Sequence, residues 1–290
     1  MTPSLERILI LGTGLLGAST GLALRSAGFS GSIIGWDKDA SQSDLALTAG
    51  AIDSVAADPI EAACASQLIL LAAPVYAILD WMKQLAPVLS NDHMVTDLGS
   101  TKAQITAAGN ELFNQPGRAG FLAGHPMAGK EVSGASAAEG TLFHNAVWIF
   151  TTDENQPPLQ PDAMHHASEW RSWVQKMGCR VLDLDAHRHD ELVAWVSHLP
   201  QFLSTALTAL LEEEVGGAPE LTAVGGRALR EMTRLGSSPY SMWRDIALTN
   251  TDAIAAAIHA LEQRLAHVRE NLRTPELRSE FEQANRFRKG

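Results

Sequence analysis

The chain has 290 residues, 46% hydrophobic and 19% charged, a profile that argues for a folded protein with room for two domains and against disorder. Its 22 basic and 33 acidic residues leave a net charge of −11, which argues against a binder of nucleic-acid backbone, a partner that needs a basic face. No segment reaches membrane-spanning length without a charge or a break, and no secretory leader opens the chain, so a cytoplasmic protein without a membrane partner is expected.

In chain order, residues 7–11 (RILIL) read as a buried strand and 15–27 as a helix closed by Gly28. A strand over 32–36 and a helix over 41–49 follow, then a strand at 68–72 and a helix at 75–85. Strands are expected at 94–96 and 120–123 with a helix over 102–113 between them, and further strands at 147–150 and 180–184 around a helix at 164–177. Fully apolar strands alternating with helices imply a parallel sheet covered on both faces. The polar, proline-rich run 153–162 reads as a surface loop. From Asp190 onward the patterns at 191–195, 202–214, 221–235 and 253–272 are all helical. The expected organisation is an α/β Rossmann domain over 1–186 and an all-α domain over 187–290. The basic run 286–289 reads as a solvated tail.

Gly12-Thr13-Gly14-Leu15-Leu16-Gly17 is a GxGxxG motif placed between a strand and a helix, the context in which it binds a dinucleotide. Gly12 makes the turn, Gly14 lets backbone approach a diphosphate, and Gly17 allows close helix packing. The helix N-terminus adds free N–H groups for the phosphates. Thr13, Leu15 and Leu16 complete the loop and its packing. Asp37, at the end of the second strand and 20 residues after Gly17, can accept both ribose hydroxyls of NAD while repelling the 2′-phosphate of NADP. NAD is the expected cofactor.

Four later segments place polar groups at element ends. Ser100, in DLGSTK, is either the N-cap of the next helix or a donor toward a ligand. His125, in GHPMAGKE, suits a general base, because imidazole titrates near neutrality. His198 lies at a break between two helices. Arg230 and Arg234, four apart, share one face of the predicted helix and could grip a carboxylate, or pair with acids in a structural network that includes Arg244 and Asp245. The His165–His166 and His187–His189 pairs lack partners at metal-ligand spacing and read as solvated helix ends; no metal is expected.

Taken in order, GxGxxG with its strand-end Asp, DLGSTK, GHPMAGKE, His189-Asp190, VSHLP, Thr233-Arg234 and MWRD resemble the prephenate/arogenate dehydrogenase family over nearly the whole chain. The resemblance implies NAD-dependent oxidative decarboxylation of prephenate to 4-hydroxyphenylpyruvate in tyrosine biosynthesis, on a Rossmann domain joined to a helical dimerisation domain. It implies that His125 deprotonates the ring hydroxyl with help from Ser100, that Arg234 anchors a carboxylate, and that His198 touches the substrate. Position 130 is Lys where family members often carry Thr, and position 230 is Arg where some carry Lys. Lys130 is expected in the substrate pocket, where its charge would favour prephenate over the ammonium-bearing arogenate, unless Glu131 neutralises it or itself receives that ammonium. No regulatory ACT domain is expected after Glu276 and no chorismate mutase domain before Arg7. Apolar helix positions Leu203, Leu207, Leu210, Leu211, Leu229, Ile254 and Ile258 exceed the needs of one small domain, so a homodimer is expected.

Overall fold

The computed structural model describes residues 5–153 and 156–289; Glu154 and Asn155, inside the run read as a surface loop, lie outside the described residues. Each of the seven apolar runs becomes a strand: β1 (Arg7–Leu11), β2 (Ser32–Trp36), β4 (Leu68–Leu71), β5 (Met94–Asp97), β6 (Gly120–Pro126), β7 (Val147–Thr152) and β8 (Arg180–Asp185). A short β3 (Ser54–Val55), too brief for any periodicity, joins them. They form one sheet in the order β3-β2-β1-β4-β5-β6-β7-β8.

Pairing is parallel from β3 through β6, as expected, but β6 and β7 run antiparallel. The cause is the connection. A parallel neighbour needs a crossover, usually a full helix, and residues 127–146 hold only the 3₁₀ turn Ala135–Ala137. Parallel pairing resumes between β7 and β8, which a full helix connects.

Helices α1 (Leu15–Ser26), α2 (Ala40–Thr48), α3 (Pro59–Cys64), α4 (Val75–Leu85), α5 (Ala103–Leu112) and α6 (Pro161–Lys176) cover the sheet. The two-residue period of a strand sends alternate side chains to opposite layers. Ile8, Ile10, Leu68 and Leu70 enter one apolar cluster, and Leu9, Leu11, Ile69 and Leu71 enter the other.

The rest is helical: α7 (Ala186–Val193), α8 (Leu199–Val215), α9 (Leu221–Thr233), α10 (Tyr240–Thr249), α11 (Thr251–Glu270) and α12 (Glu276–Lys289). The basic run 286–289, read as a tail, is the exposed last turn of α12. The predicted break at His198 is instead a π-helical turn, Ala194–His198, joining α7 to α8. Pro200 follows it; a proline supplies no N–H and crowds the preceding turn, so the helical ladder widens there rather than ending.

Candidate active site

The glycine turn sits where β1 and β4 leave the sheet. Gly12 has φ +99°, and a Cβ there would lie 2.3 Å from the Ala72 carbonyl oxygen, so only glycine fits. A Cβ on Gly17 would strike the Gly12 carbonyl at 1.9 Å, which makes Gly17 a packing position. Gly14 differs: a Cβ there meets nothing within 4 Å, so the space in front of it is open. No side chain caps the start of α1, whose first N–H groups have no intrahelical acceptor. An open cradle beside free N–H groups fits a diphosphate.

Asp37 directly follows β2. Its Oδ2 accepts the Thr13 N–H at 2.8 Å and its Oδ1 the Asp39 N–H at 3.0 Å. Each oxygen keeps a further lone pair for a ribose hydroxyl. The Thr13 side chain is buried against Ser43, 3.2 Å away. Of the motif residues, Gly14, Leu15 and Leu16 therefore line the adjoining cavity, while Gly12, Thr13 and Gly17 build the turn behind it.

That cavity, about 620 Å³, continues past the end of β5 to the helical half, and Ser100, His125, Lys130, Glu131, His198 and Arg234 all line it. Ser100 is not a helix cap. Lys102 occupies the N-cap of α5, and its side chain does not cap the helix. The Asp190 carboxylate does the capping from α7, taking the Lys102 N–H at 2.7 Å and the Ala103 N–H at 2.9 Å. Ser100 lies half-buried in the cavity wall.

Sequence reasoning missed the staple beneath this wall. Fully buried Lys102 is paired with fully buried Asp97, and its Nζ also donates to the Gly124 carbonyl at 2.8 Å. Asp97 in turn accepts the Gly99 N–H at 2.8 Å and the Gly124 N–H at 3.1 Å. The pair locks the end of β5 to the residue before His125, and removing either partner would strand a buried charge. Burial pushes the Lys102 pKa down, and Asp97 opposes the shift.

His125 lies within β6, paired with Ile149 across the sheet, rather than in the loop beyond it. Its Nδ1 is 2.8 Å from His189 Nε2, and His189 Nδ1 is 2.8 Å from Asp190 Oδ1. His189 is thus not a solvated helix end but completely buried at the heart of the site; His166 is buried too. The missed signal was the α7 period, which turns His189, Asp190 and Val193 inward together. Burial, reinforced by His189, Lys102 and His198, holds the His125 pKa well below the ordinary imidazole value. Burial also lowers His189 against the pull of Asp190, and takes His198 down to about 4.

On the helical wall, His198 Nδ1 lies 3.3 Å from Asn250 Nδ2, with its ring edge-on to Trp243. Arg234 forms an ion pair with Glu131. Lys130 is committed to its own loop, donating to the Ala137 carbonyl at 2.9 Å and pairing with Glu139 at 2.6 Å. Glu139, not Glu131, neutralises it, and the expected use of its charge against an ammonium loses its footing. Arg230 is also corrected. α9 ends at Thr233 and Arg234 opens a 3₁₀ turn, so the two arginines do not share one continuous α-helical face. Arg230 is exposed and outside the cavity lining. Arg244 does join the structural network, bonding Asp245 through Nε at 3.0 Å and Nη2 at 2.7 Å.

One end of the cavity offers open backbone suited to a diphosphate, and the other a buried, neutral imidazole. That pairing on a Rossmann sheet defines the class: a two-domain NAD-dependent oxidoreductase. Family models narrow it. The model for the prephenate dehydrogenase nucleotide-binding domain matches residues 20–170, and that for the prephenate dehydrogenase dimerization domain matches residues 185–286. The chain belongs to the prephenate dehydrogenase family. A prephenate dehydrogenase of Lactococcus lactis subsp. cremoris is 30% identical over 265 residues, which cover 91% of this chain and 70% of that protein. The structure of prephenate dehydrogenase from A. aeolicus in complex with hydroxyphenyl propionate and NAD⁺ superposes with a TM-score of 0.82 at 28% identity, covering 100% of this chain and 96% of that one. Synechocystis arogenate dehydrogenase does so with a TM-score of 0.76 at 27% identity, covering 98% and 99%.

Proposed function

We propose that this protein oxidises prephenate with NAD⁺ to 4-hydroxyphenylpyruvate and CO₂, in the cytoplasm, as a step of tyrosine biosynthesis. The observation that carries the reading is His125: a neutral imidazole backed by His189 and Asp190, lining the same cavity as the open diphosphate cradle. NAD⁺, when bound, supplies the hydride acceptor. His125 accepts the proton of the ring hydroxyl at its free nitrogen, a contribution worth about 10²–10⁴-fold. Ser100, on the wall between cradle and imidazole, donates to the same hydroxyl oxygen. Arg234 takes a substrate carboxylate in place of Glu131, and a guanidinium can do so bidentately. His198 binds the substrate from the helical side. Gly14, Leu15 and Leu16 receive the dinucleotide, and Asp37 receives its ribose.

The molecule works as a homodimer through its helices. Leu210, Val224, Leu265 and Leu272 are 54%, 79%, 54% and 62% exposed in the single chain, more apolar surface than a lone helical layer should leave in water. The test of function is NADH absorbance on adding prephenate, arogenate or a β-hydroxy acid to protein with NAD⁺. Turnover of prephenate is expected; turnover of the hydroxy acid alone would sink the reading.

A further inference from the structure

The two histidines that border the cavity each have their Nδ1 engaged inside the protein, and the partners differ in what they can offer. At His125 the hydrogen bonds end on a carboxylate. Asp190 Oδ1 only accepts, so His189 carries its proton on Nδ1, 2.8 Å away. In neutral His189 the other nitrogen, Nε2, is then a bare acceptor. It lies 2.8 Å from His125 Nδ1, which must donate, and this leaves His125 Nε2 without a proton.

His198 is set the other way. Asn250 Nδ2 is 2.8 Å from the Asp190 backbone carbonyl, which can only accept, so the amide's NH₂ and not its oxygen occupies this corner. The same NH₂ faces His198 Nδ1 at 3.3 Å and can only donate to it. His198 Nδ1 is therefore bare, and its proton sits on Nε2. Asn250 is buried, as are both imidazoles, so water does not compete for these positions.

We infer that Asp190, through His189 on one side and Asn250 on the other, imposes opposite tautomers on the two cavity histidines: His125 an acceptor at Nε2, His198 a donor at Nε2. His189 and Asn250 are positioning residues, since they act through the imidazoles. The cavity so built asks for a ligand that presents a hydroxyl to one ring and a carboxylate or keto oxygen to the other. The tautomers themselves depend only on the hydrogen bonds; their effect on turnover rests on the reading that His125 receives the hydroxyl proton.

Long-range ¹H–¹⁵N correlation spectra of the full-length, ¹⁵N-histidine-labelled protein at neutral pH, without ligand, test this directly. Assignment uses His125→Asn and His198→Asn. The expected result is an Nδ1–H ring for His125 and an Nε2–H ring for His198. The same tautomer in both, or the reverse pair, overturns the inference. Kinetics add a second readout. His189→Leu removes the acceptor and should lower kcat about 10²-fold, the cost of a mis-set tautomer being at most about 10⁴-fold, with substrate KM held. His189→Gln, whose carbonyl can still accept from His125, should recover most of that loss. Equal kcat in the Leu and Gln variants counts against the proposal. Opposite tautomers in a protein that fails to oxidise prephenate would instead remove the functional reading and leave this one standing.

Discussion

In the sheet half, every residue of β4 and all but the first of β1 are buried, and two apolar layers close over the strands. Among the described residues of α8 through α12 the buried apolar ones reduce to Ile246, Ile254 and Ala257. The same chain thus treats its leucines in two ways. Leu9 and Leu71 are shielded by their own domain, whereas Leu210 and Leu265 stand half in water. Burial of apolar area contributes roughly 25 cal/mol per Å², so the sheet half has its main stabilising term within one chain. The helical half buries little of its own, and in the proposed dimer a second copy would supply much of that term; the half matches a dimerization-domain model.

The largest effect is expected where the halves meet. His125→Asn should lower kcat by about 10²–10⁴-fold while dinucleotide affinity, measured by fluorescence titration, stays put. A kcat within a few-fold of the natural protein would return His125 to a structural role. Next comes a paired truncation. Phe121→Ala, in the closed sheet core, should cost about 3–5 kcal/mol by urea unfolding at any protein concentration. Leu210→Glu, on the open helical face, should instead reduce the mass in light scattering from twice the 31.1 kDa chain toward one chain. A natural protein that is monomeric and active would break the comparison outright.

A smaller effect belongs to the cradle. Asp37→Ala should narrow the preference for NAD⁺ over NADP⁺ by roughly tenfold in kcat/KM, the size of one screened like-charge contact of about 1 kcal/mol or slightly more. An unchanged ratio would remove Asp37 from cofactor choice.

The smallest is a pH effect shared by both halves. Burial depresses the pKa of His125 and His166 on the sheet side and of His189 and His198 on the helical side. Above pH 6.5 these rings are neutral folded or unfolded, and their contribution is complete. As pH falls below 6.5 the unfolded chain takes up protons that the folded one refuses, and stability drains, for His198 until about pH 4. Urea midpoints should be lower at about pH 5 than at about pH 7.5, with His198 alone contributing on the order of 1 kcal/mol to the difference in unfolding free energy. A midpoint that holds or rises in acid contradicts the burial of these rings.

Much of the architecture was legible because it rests on local signals. The β1 and β2 boundaries, the glycine turn and Asp37 all follow from short-range pattern and stereochemistry. What stayed hidden depends on contacts distant in the chain. Asp190 caps a helix that begins at Ala103, and no window of sequence contains both. His189 looked solvated because its dry surroundings come from the packing of α7 against α5, although the α7 period already turned it inward. Lys130 could not be assigned because its partner Glu139 lies in an irregular loop. The antiparallel β7 was missed because fully buried strands of either sense read as apolar runs.

The cap that Asp190 places on α5 has a consequence for inheritance. A shuffled gene that took its sheet from one relative and its helices from another, joined between β8 and α7, would keep an unbroken chain. It would still lose the cap on the Lys102 and Ala103 backbone N–H groups if the helical parent lacked a carboxylate at 190, and the Thr101–Thr249 hydroxyl contact at 2.8 Å wherever the parents disagreed about either threonine. The modules are separable on paper, but these side chains cross the joint. A recombination map of viable chimaeras should therefore show Thr101 and Thr249 travelling together, while Asp190, whose acceptor bonds go to backbone N–H groups, is kept whichever sheet half it is joined to.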